Sequence, residues 1–539
     1  MRRSIVAAIG LALALALAAP AAAQEFSSER LSEGIRVLAS DDFGGRYPGT
    51  EGEALTLEWL QAQYEAMGLE PGGPDGRWLQ PVDLALYRPA WPAVAAWSGP
   101  EGAGGPLRPV YDINLRAASG DGAAEVAGAG LVFVGYGIHA PERGWDDYGA
   151  VDVAGKVVVA LEGEPPGPVF NGDFPTVYDT DRYKAAEAFG RGAVGLLTLV
   201  LEPAESEGWL HRGHRMGATR GLYGEPGLEF TGEIPVDLGL AMGEAAGVDL
   251  FGALQTVDSG AFRAIELAGV TLDAQVGERI EILRTYNLLA RIPGAERPDE
   301  TIIYSAHWDH VGSRDHPDAA GDFIFNGAWD NASGTVAVVE MARAFARGPR
   351  PARSVVFAHM AAEEMGLLGA FWYAAHPVWP LETTVADLNI DMLPLSGPTR
   401  DLPIFGHGQT TLEDDLQALA EAQGRVVTDD GQPRQGFYYR SDHFPFAEAG
   451  VPALMPWHGV DLVEGGRAVG QPAYDAMFAA RYHRRADEWR PDFDFRAAIQ
   501  NLELLYALGA ELANGDRWPG WKPGSEFAAA RAASETARQ

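Results

Sequence analysis

Through the second half of the chain, short apolar runs alternate with amphipathic stretches. TIIYSA (301–306), SVVFAHMA (354–361) and VADLNI (385–390) are near-continuous apolar segments of strand length, whereas SGTVAVVEMARAFAR (333–347) carries its apolar residues at helical spacing. Uninterrupted apolar strands separated by helices predict an α/β fold, with a mostly parallel, mixed sheet sandwiched between helices. Near the N-terminus, Leu31, Ile35, Val37 and Leu38, then Leu55, Leu57, Leu60 and Tyr64, predict two amphipathic helices around the glycine and proline loop DDFGGRYPGT. Between about 105 and 268 the texture changes. GLVFVGYGI and KVVVALEG are short β-rich runs, and SGAFRAIELAGVTLDAQVG alternates as antiparallel strands do.

These patterns divide the chain into a leader at 1–23, a first part of the main domain at 24–104, an inserted β-rich domain at 105–268, the remainder of the main domain at 269–523, and a loosely held tail at 524–539. The leader has Arg2 and Arg3, an uncharged apolar run from Ile5 to Ala18 and the small residues Ala21-Ala22-Ala23, which is the pattern of an export signal; the expected location is periplasmic or secreted. That run is shorter than a membrane span, and no later segment is long and apolar enough to form one. The absence of cysteine excludes a disulfide framework, and a formal charge of -34 argues against nucleic acid or an anionic membrane as partner. A hydrophobic share of 47% in 539 residues describes a folded protein of more than one unit. Oligomeric state is not legible.

Oxygen and nitrogen donors collect where the apolar runs end. His307 follows TIIYSA, Asp330 lies in NGAWDNASGT, Glu364 ends SVVFAHMAAEE, Asp391 ends VADLNID, and His483 lies in RYHRRADEW. Two imidazoles and three carboxylates suit a pair of zinc ions, and α/β sheets place their sites at strand carboxyl ends. Asp330 opens a helix, where backbone N–H groups favour an anion. Glu363, beside Glu364, is a carboxylate not needed to hold metal, as hydrolysis by an activated water requires. Asp309, two residues from His307, is placed to accept the imidazole's other N–H. His310 is read as structural, as are His316, His359, His376, His407 and His458. In GFYYRSDHFPF, Asp442 and His443 are read as supporting the metal ligands from behind or facing the substrate, with Tyr438 and Tyr439 as pocket wall or simple core.

AHWDHVG, GAWDNASGT, AAEEMGLLGA, NIDM and YHRRADE resemble, in order, the motifs of the di-zinc aminopeptidase family, which includes bacterial leucyl aminopeptidases and glutamate carboxypeptidase. The segment VFVGYGIHAPERGWDDYGAVDVAGKVVV resembles a protease-associated (PA) domain. The resemblance implies two zinc ions per chain bridged by Asp330, one completed by His307 and Asp391, the other by Glu364 and His483. It implies that Glu363 activates a metal-bridging water as general base, that Tyr482 polarises the scissile carbonyl, and that the Asp330–Asn331 peptide is cis. Trp329 departs from the family pattern, standing where many members carry a second acidic residue.

The expected activity is therefore that of an exported metallo-aminopeptidase, a hydrolase removing N-terminal residues from peptides. A carboxypeptidase or dipeptidase would need basic pocket residues, for which Arg434 and Arg440 are candidates. A glutaminyl cyclase would bind one zinc, and a non-catalytic binding homologue would have no need of Glu363.

Overall fold

The computed structural model describes residues 26–90, 93–118, 122–172, 174–214, 219–318 and 321–538. The expected leader therefore lies outside the described residues. The main sheet is built on β1 (Leu79–Pro89), β2 (Ile265–Ile292), β3 (Arg297–His307), β4 (Arg353–Met360), β5 (Thr384–Asn389) and β6 (Ala453–Pro456), in the order β1-β2-β4-β3-β5-β6. β4, β3, β5 and β6 run parallel; β1 and β2 are antiparallel to their neighbours. β4 and β5 are buried along their whole length, which is why they read as unbroken apolar runs.

Alternate residues of these strands enter different cores. Ile302, Tyr304, Val355 and Phe357 pack with the helices Ser28–Leu38, Glu51–Ala66, Gly334–Arg347 and Arg496–Asn514. Ile303, Val356, Ala358 and Met360 pack on the other face with Ala370, Tyr373 and Phe446. The register pairs His307 with Met360 and Ser305 with Asn389, so the segments following β3, β4 and β5 leave the sheet at one edge.

β2 carries the chain out of the insert. Its first half pairs with Val94–Ser98 and Ala123–Phe133 in the insert's sheet, and its second half pairs with β1 and β4. The insert has its own core, around Leu131, Phe133, Val159, Leu197 and Phe230. Two expected boundaries move. Val94–Ser98, placed by sequence in the main domain, is a strand of the insert's sheet, as is β2 up to Gly277. Their composition gives no break because one strand serves both sheets.

The tail is also not loose. Phe527 and Arg531 are buried, and Arg531 donates to the Thr384 carbonyl at 2.9 Å. Among the described residues no helix is long and apolar enough to cross a membrane.

Candidate active site

His307 is the last residue of β3, the Glu363-Glu364 pair follows β4 through a tight turn, and Asp391 lies just beyond β5. Asp330 does not cap a helix as expected. The helix starts at Gly334, and the amide oxygen of Asn331 takes the capping role, accepting from the N–H groups of Gly334 (2.7 Å) and Met392 (3.1 Å). Gly334 is required there, since a Cβ would lie 2.2 Å from the Ile390 carbonyl oxygen. With Asn331 serving the backbone, Asp330 is extended and its side chain is left for the site. The Asp330–Asn331 peptide is cis, as the family resemblance implies.

The two oxygens of Asp330 face different imidazoles. Oδ1 lies 3.4 Å from His307 Nε2, and Oδ2 lies 3.1 Å from His483 Nε2. His307 Nε2 is also 3.3 Å from Asp391 Oδ1, and His483 Nε2 is 3.1 Å from Glu364 Oε2. The five donors thus form two groups sharing one carboxylate. Glu363 belongs to neither, its nearer oxygen being 4.0 Å from His307 Nε2.

Four carboxylates around two imidazoles leave the cluster short of positive charge. Burial would depress the His307 imidazole, yet Glu363, Asp391 and Asp330 override it and hold its pKa well above the ordinary value. His483 is raised to about 10 in the same way, against burial, by Asp330 and Glu364. Glu363 is pushed well above the carboxylate range by burial, reinforced by Glu364, Asp391 and Asp442 and opposed by His307. A donor set that draws protons onto its imidazoles fits cations held by nitrogen and oxygen, as zinc is.

Around the donors lies a supporting layer, only part of which was legible in sequence. The Asp309 carboxylate does not take the His307 N–H: its nearest oxygen is 3.9 Å from Nδ1, and the Asp309 backbone carbonyl, at 3.1 Å, is the partner instead. The carboxylate accepts the Glu363 backbone N–H at 3.1 Å, so it fixes the turn that carries the two glutamates. His310 is no bystander, since its Nδ1 is 2.7 Å from Glu364 Oε1, and it clusters with Asp330 and Glu364.

Two further groups were not anticipated. Asp487 is fully buried and accepts the backbone N–H groups of Trp329 and Asp330, both at 3.0 Å. Arg46, in the GRYPGT loop, donates to the carbonyls of Leu38, Trp308, Asn326 and Gly327, and burial lowers its pKa to about 10. Asp487 lies inside YHRRADE, four residues after His483, and that proximity was the one available signal.

In the SDH segment it is Ser441, rather than its neighbours, that touches a donor. Its hydroxyl gives a 2.9 Å hydrogen bond to Asp391 Oδ2 and accepts one from Asn389 at 2.8 Å. Asp442 is buried behind the site, and burial raises its pKa to about 8. His443 is buried against the Tyr438 ring at 4.7 Å, and burial depresses it to about 3. Neither His443 nor Tyr438 faces the cavity over the donors; Tyr439 does.

That cavity encloses about 330 Å³. Phe371, Phe405, Phe444, Met455 and Trp457 give it an apolar wall, Tyr482 and Arg440 line it as well, and so do Thr180 and Arg182 of the insert. Arg440 donates from Nη2 to the Tyr482 hydroxyl at 3.2 Å. Burial raises the Tyr482 phenol well above its ordinary pKa, so the hydroxyl keeps its proton.

Residues 287–507, which include all five donors, match the model for peptidase family M28. The match falls on the segment whose motif series resembles that of the di-zinc aminopeptidases. Aminopeptidase NAALADL1 of Mus musculus is 33% identical over 138 residues, covering 24% of this chain and 17% of that protein. Leupeptin-inactivating enzyme 1 of Streptomyces exfoliatus is 31% identical over 181 residues, covering 33% of this chain and 37% of that protein. Among solved structures, an aminopeptidase from Aneurinibacillus sp. strain AM-1 aligns over 91% of this chain and 95% of its own, with a TM-score of 0.44 and 18% identity. The chain spans 17% of the NAALADL1 length and 38% of that of a probable lipoprotein aminopeptidase, LpqL, of Mycobacterium tuberculosis.

Proposed function

We propose that the chain is a zinc-dependent aminopeptidase with two metal ions per chain. The observation that carries this reading is the position of Glu363, a mostly buried carboxylate beside two donor groups that share Asp330 and do not use it. Zinc would be held by His307, Asp330 and Asp391 on one side and by Asp330, Glu364 and His483 on the other. When bound, it supplies Lewis acidity that polarises the peptide carbonyl and acidifies water.

The remaining work falls to side chains. Glu363 takes a proton from the attacking water and returns it to the leaving amine. The protonated Tyr482 hydroxyl, oriented by Arg440, donates to the carbonyl oxygen as negative charge develops there. The apolar wall receives the side chain of the residue being removed. Ser441, Asp309 and Asp487 hold Asp391, the glutamate turn and the Asp330 backbone in place.

The insert is proposed to be a PA domain on the motif it carries. Export is proposed from the basic, apolar and small-residue order of the first 23 residues; cell fractionation, with N-terminal sequencing of the mature chain, tests it.

The activity is tested with peptides blocked at one end or the other, with and without chelator. Release of the first residue only from peptides with a free N-terminus, lost on chelation and restored by zinc, is expected. Release of the last residue from N-acetylated peptides would make the enzyme a carboxypeptidase.

A further inference from the structure

Two guanidinium groups line the cavity, and their surroundings differ. Arg182, from the insert, lies over the Phe371 ring at 3.6 Å and pairs with Glu448 at 2.7 Å, so its charge is met within the protein. Arg440 stacks over Phe437 at 4.9 Å and donates to the neutral Tyr482 hydroxyl, and no ion pair joins it to a carboxylate among the described residues. It is exposed at the cavity, and the next residue, Ser441, is fixed by its bond to Asp391. A charged fork held on a braced segment, with its remaining donors toward open space, is the arrangement that recognises a carboxylate.

Its distance from the chemistry names which carboxylate. On the reading of Tyr482 proposed above, the phenol meets the scissile carbonyl, and Arg440 Nη2 lies 3.2 Å from the phenol oxygen. Successive Cα atoms are about 3.8 Å apart, so an acidic group on the residue just after the cleaved bond falls within that reach. The cavity, about 330 Å³, is at the small end of the roughly 300–1,000 Å³ of ligand pockets, which favours a short substrate.

We propose that Arg440 binds a carboxylate carried by the residue that follows the cleaved bond, making the enzyme selective for short peptides with a large apolar first residue and an acidic group one residue on. The terminal carboxylate of a dipeptide and an acidic side chain at that position share this chemistry.

The test measures kcat/KM for Leu-Ala against Leu-Ala-amide, and for Leu-Asp-amide against Leu-Asn-amide, in wild type, Arg440→Gln, Arg440→Lys and Tyr482→Phe. A charge-assisted hydrogen bond predicts a preference of roughly 10–100-fold for the carboxylate-bearing member of at least one pair. The first pair reports a terminal carboxylate and the second a side chain. Arg440→Gln should erase the preference and Arg440→Lys keep part of it, whereas Tyr482→Phe should slow both members equally and leave the ratio intact. Absence of a preference in wild type, or its survival in Arg440→Gln, overturns the proposal. Failure of wild type to cleave any of the four substrates would instead overturn the aminopeptidase reading beneath it.

Discussion

The four buried donors and the one exposed donor are built differently. The side chains of His307, Asp330, Glu364 and Asp391 are at most 6% exposed, whereas His483 is 40% exposed. Strand register fixes His307 at the end of β3, where a shift of one residue would turn it to the other face, and Glu364 and Asp391 follow β4 and β5 at the same end of the sheet. His483 follows the helix Arg467–Arg481 with a positive φ of 53°, and its ring stacks on Tyr482 at 4.0 Å. What ties this loop to the buried donors is Asp487, whose carboxylate holds the Asp330 backbone. One half of the site is set by the core; the other is closed over it and stays open to solvent, where a substrate must enter.

The shared carboxylate gives the largest effect. Asp330→Ala removes a donor from both groups, and zinc analysis should show both ions lost, with turnover falling beyond the roughly 10²–10⁴-fold scale of a single acid–base group. Retention of one zinc at full occupancy would show that Asp330 does not bridge.

Next come the two histidines, which separate core from loop. His307→Ala and His483→Ala should each lower zinc from two per chain to one. Only His307→Ala should also destabilise the metal-free protein, by about 3 kcal/mol, since it leaves buried carboxylates without their partner. His483→Ala should recover activity with added imidazole, because its place is open to solvent. His443→Ala should leave both ions bound; zinc loss there would move the fifth donor into the SDH segment.

The smallest effect concerns the strut outside the site. Glu526, in the C-terminal segment, accepts from the Tyr439 hydroxyl (2.7 Å), the Val177 N–H (3.2 Å) and Arg143 (3.2 Å), so it ties the cavity wall to the insert. Burial raises its pKa from 4.5 to about 7. The folded state then holds this proton more tightly than the unfolded chain does. The resulting stability is fully present below about pH 4.5 and is lost as pH rises toward 7. Glu526→Gln should flatten the fall in Tm across that window; an unchanged slope would show that Glu526 does not supply it.

The same contrast explains what could be read from sequence. His307, Glu364 and Asp391 were visible because each ends an apolar run, and the run that buries a strand also marks where its end emerges. Asp330 and His483 needed the motif context, since neither ends a strand. Arg46 and Asp487 act through backbone groups far along the chain, 281 residues away for Gly327 and 158 for Trp329, and a local motif does not reveal such a contact. Ser441 was passed over for Asp442 and His443, whose titratable groups looked more chemical but are buried behind the site. The insert's edges were missed because β2 is a single strand shared by two sheets.

The central claim, that Glu363 is the base and not a ligand, is tested most directly by Glu363→Gln, assayed for zinc content and turnover on the same preparation. The amide keeps the shape of the carboxylate and loses its basicity, so two zinc ions should remain while kcat falls by about 10²–10⁴. Loss of zinc from this variant, or turnover close to that of the wild type, would contradict it.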